Sequence, residues 1–76
     1  MPKIHLKLMT GEEFTVSKTF HREWTIFNRI KPSRPFKDRR DAEVAARLLM
    51  SHYESITVDQ GVTVSVDKIS THWIDD

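Results

Sequence analysis

The sequence predicts a small α+β domain, and two periodicities carry that prediction. Apolar and polar residues alternate near both ends of the chain, which is the period of strands with one buried face. Between these regions, apolar residues recur at spacings of three and four, as in an amphipathic helix. We expect one domain over residues 1–76 in the order ββ-α-α-ββ(β). Four to five strands would form one antiparallel sheet, with one long helix and one short helix packed on it.

The amino-terminal alternation predicts a β-hairpin. Its apolar positions are Ile4, Leu6, Leu8, Phe14 and Val16. We expect the loop at residues 10–12, where Gly11 can adopt the positive φ that a tight turn requires. This loop places Leu8 opposite Phe14 and keeps the apolar side chains on one side of the hairpin.

The carboxyl-terminal third predicts a second hairpin. Its apolar positions are Ile56, Val58, Val62, Val64 and Val66. A three-residue loop, "DQG" at residues 59–61, places Gly61 at the third position, where such loops favour glycine. Val58 should therefore lie opposite Val62.

The alternation changes phase after this hairpin. Val66 and Ile69 are three residues apart, an odd step that indicates a bulge or tight bend at Asp67 and Lys68. Beyond the bend we expect Ile69, Thr71 and Trp73 to share one face of a last strand.

The long helix is predicted within "DRRDAEVAARLLMSHYESI". Its apolar face consists of Ala42, Ala45, Ala46, Leu49 and Tyr53, and Val44 and Leu48 flank that face. Asp38 is suited to cap the amino terminus, because its carboxylate can accept backbone N–H donors. Asp41 adds negative charge to the first turn, where the helix dipole favours it.

Residues 17–32 fit two interpretations. Phe20, Trp24 and Phe27 suit a short helix capped by Ser17 or Thr19, whereas Trp24, Ile26, Asn28 and Ile30 suit a strand. We favour the helix, ended by Pro32, because a residue before proline avoids helical angles.

The amino-acid composition limits the cellular location and the chemistry that can be expected of this chain. The chain has no cysteine, which excludes disulfides and thiolate chemistry and favours a reducing, cytoplasmic location. Its longest apolar run, "LLM", is far shorter than the roughly 20 residues that span a bilayer. Charged residues interrupt the amino-terminal segment, so it does not resemble a signal peptide. We therefore expect no membrane partner.

Half of the basic side chains lie in "RIKPSRPFKDRR", residues 29–40, although the formal net charge is only +1. This basic stretch contains Arg29, Lys31, Arg34, Lys37, Arg39 and Arg40, with Asp38 as its one acid. Arginine pairs bidentately with carboxylates and phosphates, and Phe36 offers a stacking face for a base. We expect each tryptophan to pack in the core, with an exposed anchor as the alternative, and we include Trp24 among the candidate contacts.

Four interpretations of the chain remain open at this point. The basic stretch is a solvated loop neutralised by Asp38 and Asp41, a contact for an acidic protein, or a contact for nucleic acid. The fourth is self-assembly into a homo-oligomer through exposed strand edges such as "KIHLKL" or "ISTHWI". Among functions we favour a small regulatory module that binds another protein.

The sequence offers no recognisable catalytic, metal or cofactor site. The four histidines, His5, His21, His52 and His72, are never three or four residues apart, so no helical metal pair forms. Thr71 and His72 are adjacent on a strand and should point to opposite faces, which separates a nucleophile from its base. We therefore expect a protein that is not an enzyme.

Overall fold

The computed structural model describes residues 1–20 and 33–76. Its strands are β1 (Lys3–Leu8), β2 (Glu13–Val16), β3 (Ser55–Thr57), β4 (Thr63–Ser65) and β5 (Ile69–Asp75). One α-helix in this part of the chain, α1, runs from Arg39 to His52, and a 3₁₀ turn, Val66–Lys68, precedes β5. The α+β class is confirmed. No helix among the described residues is long and apolar enough to cross a bilayer.

The five strands of the described residues form two sheets, so the prediction of one sheet was wrong. β1 lies between β2 and β5 in an antiparallel three-stranded sheet, and β3 pairs with β4 in a separate two-stranded sheet. The two sheets meet through a hairpin loop instead of a strand ladder. The short helix predicted within residues 17–32 lies largely outside the described residues; residues 17–20 are not helical, and Lys18 forms a β-bridge with Pro35.

The first hairpin forms in a register two residues from the predicted one. Leu6, not Leu8, lies opposite Phe14, and the loop comprises residues 9–11. The Leu8 N–H donates to the Glu12 carbonyl at 2.8 Å, and the Gly11 N–H donates to the Leu8 carbonyl at 2.9 Å. This register puts Gly11, with φ 93°, at the third loop position. A shift of two residues preserves the buried face.

The second hairpin confirms its predicted register. Val58 donates its N–H to the Val62 carbonyl at 3.0 Å, and Gly61 donates to the Val58 carbonyl at 2.9 Å. Gly61 has φ 82°, and Ile56 lies opposite Val64. Both hairpins therefore use the same three-residue loop, with glycine in the left-handed position.

The phase change before β5 is confirmed as the 3₁₀ turn, but the predicted common face is wrong. The register of β5 against β1 shifts between Lys7 and Leu8, which leaves Ser70 as an extra residue. The Ser70 hydroxyl donates to the Lys7 carbonyl at 3.1 Å and occupies this bulge. Ile69 is consequently buried, whereas Trp73 lies on the opposite face and is 40% exposed.

The core lies between α1 and one face of the three-stranded sheet and extends under the second hairpin. The fully buried side chains of largest volume are Ile4, Leu6 and Leu49. The remaining buried apolar residues are Val16, Phe36, Ala42, Ala45, Ala46, Ile56, Val58, Val64, Val66 and Ile69. The small alanines let the helix approach the sheet closely, and the predicted apolar face of α1 is confirmed by their burial.

The outer edge of β2 is covered by the loop of the second hairpin. The Thr15 carbonyl accepts the Asp59 N–H at 2.9 Å, and the Thr15 N–H donates to Gln60 Oε1 at 3.2 Å. Asp59 Oδ1 accepts the Ser17 N–H at 3.1 Å. We call these contacts the edge cap. They satisfy backbone groups that an unpaired edge exposes, and they join the two sheets.

Replacing Gly61 by alanine should lower the free energy of unfolding by about 1 kcal/mol, because an L side chain is strained at positive φ. Nothing lies within 4 Å of the added methyl group, so the backbone conformation alone is tested. Urea unfolding measures the effect. Asparagine, which tolerates this conformation better, is the control and should lose less stability than alanine; an equal or larger loss contradicts the assignment.

Candidate functional site

Five of the eight predicted contact residues lie within the described chain: Arg34, Phe36, Lys37, Arg39 and Arg40. Trp24, Arg29 and Lys31 fall outside it, and their roles stay predictions. The described part of the basic stretch leads directly into the first turn of α1.

Arg34 is held by an acid of the protein itself. Its guanidinium donates to both carboxylate oxygens of Asp41, at 2.6 Å from Nη1 and 3.2 Å from Nη2. Asp41 Oδ2 also accepts the backbone N–H of Lys37 at 2.9 Å. The bidentate pair fixes the approach of the chain to the helix.

These contacts change the proton affinity of Asp41. The hydrogen bond from Arg34 and then the one from the Lys37 backbone lower the pKa of Asp41 to about 2, because both stabilise the ionised carboxylate. The same hydrogen bond raises the pKa of Arg34. Asp38 caps the helix as predicted, since its Oδ1 accepts the Asp41 N–H at 2.8 Å.

Arg39 points toward the end of β5. Its Nη1 lies 3.4 Å from the Ile74 carbonyl oxygen and 3.7 Å from Asp76 Oδ2, and its Nε donates to Glu43 Oε1 at 3.2 Å. Arg39 therefore links the amino terminus of α1 to the sheet. Its charge is opposed by two carboxylates of the same chain.

The remaining described cations of the basic stretch are Lys37 and Arg40. Both are exposed, and neither forms an ion pair within residues 1–20 and 33–76. The structure thus divides the basic stretch: Arg34 and Arg39 contact their own acids, and Lys37 and Arg40 face solvent. A surplus of five positive charges acting as one surface was expected, and these internal ion pairs reduce it.

Phe36 does not occupy the surface position expected of a stacking residue. Its side chain is 2% exposed and belongs to the core. Its backbone N–H donates to the Ser17 carbonyl at 3.4 Å, which ties the segment before α1 to the end of β2. Burial of its large apolar area explains the difference, because a chain of this size has few other aromatic side chains to fill its core.

Sequence reasoning missed the outward face of α1 as a candidate surface. Viewed along the helix, the residues opposite the buried alanines are Arg40, Val44, Arg47, Leu48 and Ser51. Val44 is 40% exposed and Leu48 is 41% exposed, and they lie one helical turn apart. The helical periodicity could have predicted this surface, because it places two large apolar residues, Val44 and Leu48, outside the buried face of α1.

The outer face of the three-stranded sheet carries an aromatic pair. The rings of His5 and Trp73 are stacked with centroids 5.1 Å apart and an interplanar angle of 8°. His5 Nε2 lies 3.4 Å from Asp75 Oδ2 without a hydrogen bond of good geometry. The expectation that Trp73 packs in the core was wrong, because the Ser70 bulge turns Trp73 away from it.

The described residues bring together no cluster of metal-ligating side chains. Within residues 1–20 and 33–76, no three His, Asp or Glu side chains are close enough together to hold a metal ion. Thr71 lies opposite Lys7 and His72 opposite Leu6, so the two side chains point to opposite faces, as predicted.

Comparisons with known proteins give no identity. No family model, no curated protein and no solved structure matches this chain.

Replacing Asp41 by asparagine should flatten the acid dependence of stability. A lowered pKa means that the contribution of Asp41 is complete above its ordinary pKa of 3.8 and is lost as the pH falls toward about 2. The stability difference between wild type and Asp41→Asn should therefore shrink over that range. Urea unfolding at a series of pH values measures it. Glu43→Gln is the matched control on the same helix; if it reproduces the change, Asp41 is not the cause.

Replacing Phe36 by alanine should lower the free energy of unfolding by about 3 kcal/mol, because a buried aromatic side chain leaves a cavity. Lys37→Ala is the neighbouring control and should change it by less than about 0.5 kcal/mol, since its exposed side chain forms no ion pair within the described residues. Thermal unfolding followed by circular dichroism compares the two. Similar melting temperatures would show that Phe36 does not support the core.

Proposed function

We propose that this protein is a non-enzymatic, regulatory binding module that docks on an acidic protein partner through the outward face of α1. Lys37, just before the helix, extends the surface. The lack of cysteine supports a reducing, cytoplasmic setting for this interaction.

One observation carries the proposal: Val44 and Leu48 are substantially exposed on the side of α1 that also carries Arg40 and Arg47. A helix of a free-standing domain ordinarily places polar residues on its solvent face. Here the solvent face combines apolar contact area with positive charge. Arginine with apolar side chains at the centre is typical of protein interfaces.

The charges of this face are available to a partner. Arg40 and Arg47 form no ion pair within the described parts of the chain. Each guanidinium presents several donors in a planar fork that matches a carboxylate. Glu43, the acid one helical turn before Arg47, is paired with Arg39. An acidic partner would meet two arginines without displacing an existing contact.

Exposed apolar residues favour a protein over nucleic acid as the partner. Binding to phosphates is driven by charge and counterion release and gains little from Val44 or Leu48. A protein surface buries those side chains and gains roughly 25 cal/mol for each Å² of apolar area removed from water. A nucleic-acid contact by the same arginines and Lys37 remains the second candidate.

Two sets of substitutions test the proposal in affinity capture from the native host, carried out both with nucleic acid intact and with nucleic acid digested. A charge variant carries Lys37→Gln, Arg40→Gln and Arg47→Gln, and an apolar variant carries Val44→Gln and Leu48→Gln. Glutamine is a good helix former, so α1 should persist. We expect a nuclease-resistant protein partner of wild type to be reduced at least about tenfold with either variant, as the loss of two or more interface contacts typically produces.

The matched control removes the same charge from other surfaces through Lys3→Gln, Lys7→Gln and Lys18→Gln, all exposed positions. It should retain the partner. Loss with the charge variant alone, together with sensitivity to nuclease and a steep dependence on salt, would identify a nucleic-acid binder instead. Retention of every partner by both α1 variants would exclude this face as the contact.

A further inference from the structure

We infer that two copies of this chain join through antiparallel pairing of their β5 strands, with His72 at the two-fold axis. The pairing would extend each three-stranded sheet into one continuous six-stranded sheet. This inference concerns a different surface from the outward face of α1 and does not depend on the proposed function.

The edge of β5 is open among the described residues. β5 is bonded to β1 on one side, and no described strand pairs with its other side. Five of its seven residues are exposed, namely Ser70, Thr71, His72, Trp73 and Asp75. An exposed strand of this length presents unpaired backbone donors and acceptors to another chain.

Three contacts show which backbone groups face outward. The Met9 N–H donates to the Lys68 carbonyl, and the Lys7 carbonyl accepts the Ser70 hydroxyl, so odd-numbered residues of β1 face β5. In the ladder, Thr71 and Trp73 lie opposite odd-numbered residues of β1 and bond to them. His72 and Ile74 therefore direct their N–H and C=O groups away from the sheet. Arg39, which belongs to α1 and not to β1, contacts the Ile74 carbonyl, and this agrees with a carbonyl that points away from β1.

The opposite edge of the same sheet is closed to such pairing. The edge cap occupies the outward groups of Thr15 and the Ser17 N–H. β5 contains no proline, and its residues 71–75 pair with β1 in an unbroken register. Among the described residues, one side chain reaches an outward backbone group of β5: Arg39 Nη1 lies 3.4 Å from the Ile74 carbonyl oxygen, which would have to share or release this contact when a second copy pairs. Within the part of the chain that the structure describes, β5 is therefore the less covered of the two edges of this sheet.

The sequence of β5 complements itself when it is reversed. Pairing about His72 places Trp73 opposite Thr71 of the partner subunit on the outer face, an aromatic and β-branched pair that stabilises sheets. It also brings Asp76, one residue beyond each strand, opposite Lys68 of the partner subunit, one residue before the strand. Within one chain, Asp67 neighbours Lys68, and Asp76 Oδ2 lies 3.7 Å from Arg39 Nη1, so this charge pair adds to existing contacts. This charge and side-chain complementarity favours a second copy over an unrelated strand.

The size of the contact predicts a reversible dimer. Two paired strands of seven residues bury less than the roughly 1,200 Å² typical of stable complexes. Sedimentation velocity on the full chain should therefore show a mass that rises with concentration from 8.9 kDa toward twice that value. A mass of one chain at all concentrations up to about 1 mM, where even a weak contact of about −4 kcal/mol would be half formed, overturns the inference.

A proline at the centre tests whether backbone bonds hold the dimer. His72→Pro removes an outward N–H and leaves the bonds of Thr71 and Trp73 to β1 in place. The control His72→Thr keeps the N–H and removes the imidazole. We expect His72→Pro to sediment as one chain and His72→Thr to dimerise like wild type, with circular dichroism showing both to be folded. A folded His72→Pro variant that dimerises as well as wild type overturns the pairing.

Opposite charges test the register even if the proline variant does not fold. Because position 72 faces itself across the axis, His72→Lys alone and His72→Glu alone should each weaken the dimer through repulsion of like charges. An equimolar mixture of the two should recover a dimer at least as tight as wild type, because unlike charges then meet. If the mixture dimerises no better than either variant alone, His72 is not at the centre and the inference fails.

Discussion

The contact between the second hairpin loop and the edge of β2 is the constraint on which the rest of this small structure depends. Asp59 and Gln60 supply side-chain and backbone partners to Thr15 and Ser17, which lie more than forty residues away in the chain. Without these bonds, a two-stranded hairpin would have little independent stability, and the outward groups of β2 would need water or another chain. The edge cap therefore joins the two sheets and covers one of the two edges of the larger sheet. Its polar contacts also align the hairpin so that Ile56, Val58 and Val64 reach the common core.

Local patterns were sufficient to predict the kinds of elements but not their assembly. The two-residue period of the strands and the three- and four-residue spacing of the helix are each properties of a single element. These periodicities located the hairpins and α1 correctly. The register of the second hairpin followed from Gly61 at its loop, whereas "MTGEE" offered two placements for Gly11 that bury the same face. The Ser70 bulge and the division into two sheets depend on residues far apart in sequence, which a reading of neighbouring residues does not include.

For the candidate surface too, local sequence predicted some features, whereas others depend on how the chain is assembled. Composition revealed where positive charge is concentrated, but partners decide whether that charge is available. Arg34 meets Asp41 seven residues away, which is within reach of local reasoning. Arg39 meets Asp76 only because α1 and β5 are packed together. Phe36 is likewise buried because a small domain needs large apolar side chains to fill its core. Its polar and charged sequence neighbours gave no indication of this burial.

The central position of β1 has a consequence for how the chain reaches this structure. One neighbour, β2, follows immediately, but the other, β5, lies 63 residues away at the contact between Lys7 and Ser70. Closing so long a loop is slow compared with forming a local hairpin, because the entropy of the intervening chain is lost before the contact compensates for it. The two hairpins and α1 should consequently form before the larger sheet is complete. During that interval β1 itself is an unpaired edge, so newly made chains pass through a stage in which aggregation competes with the last step of folding.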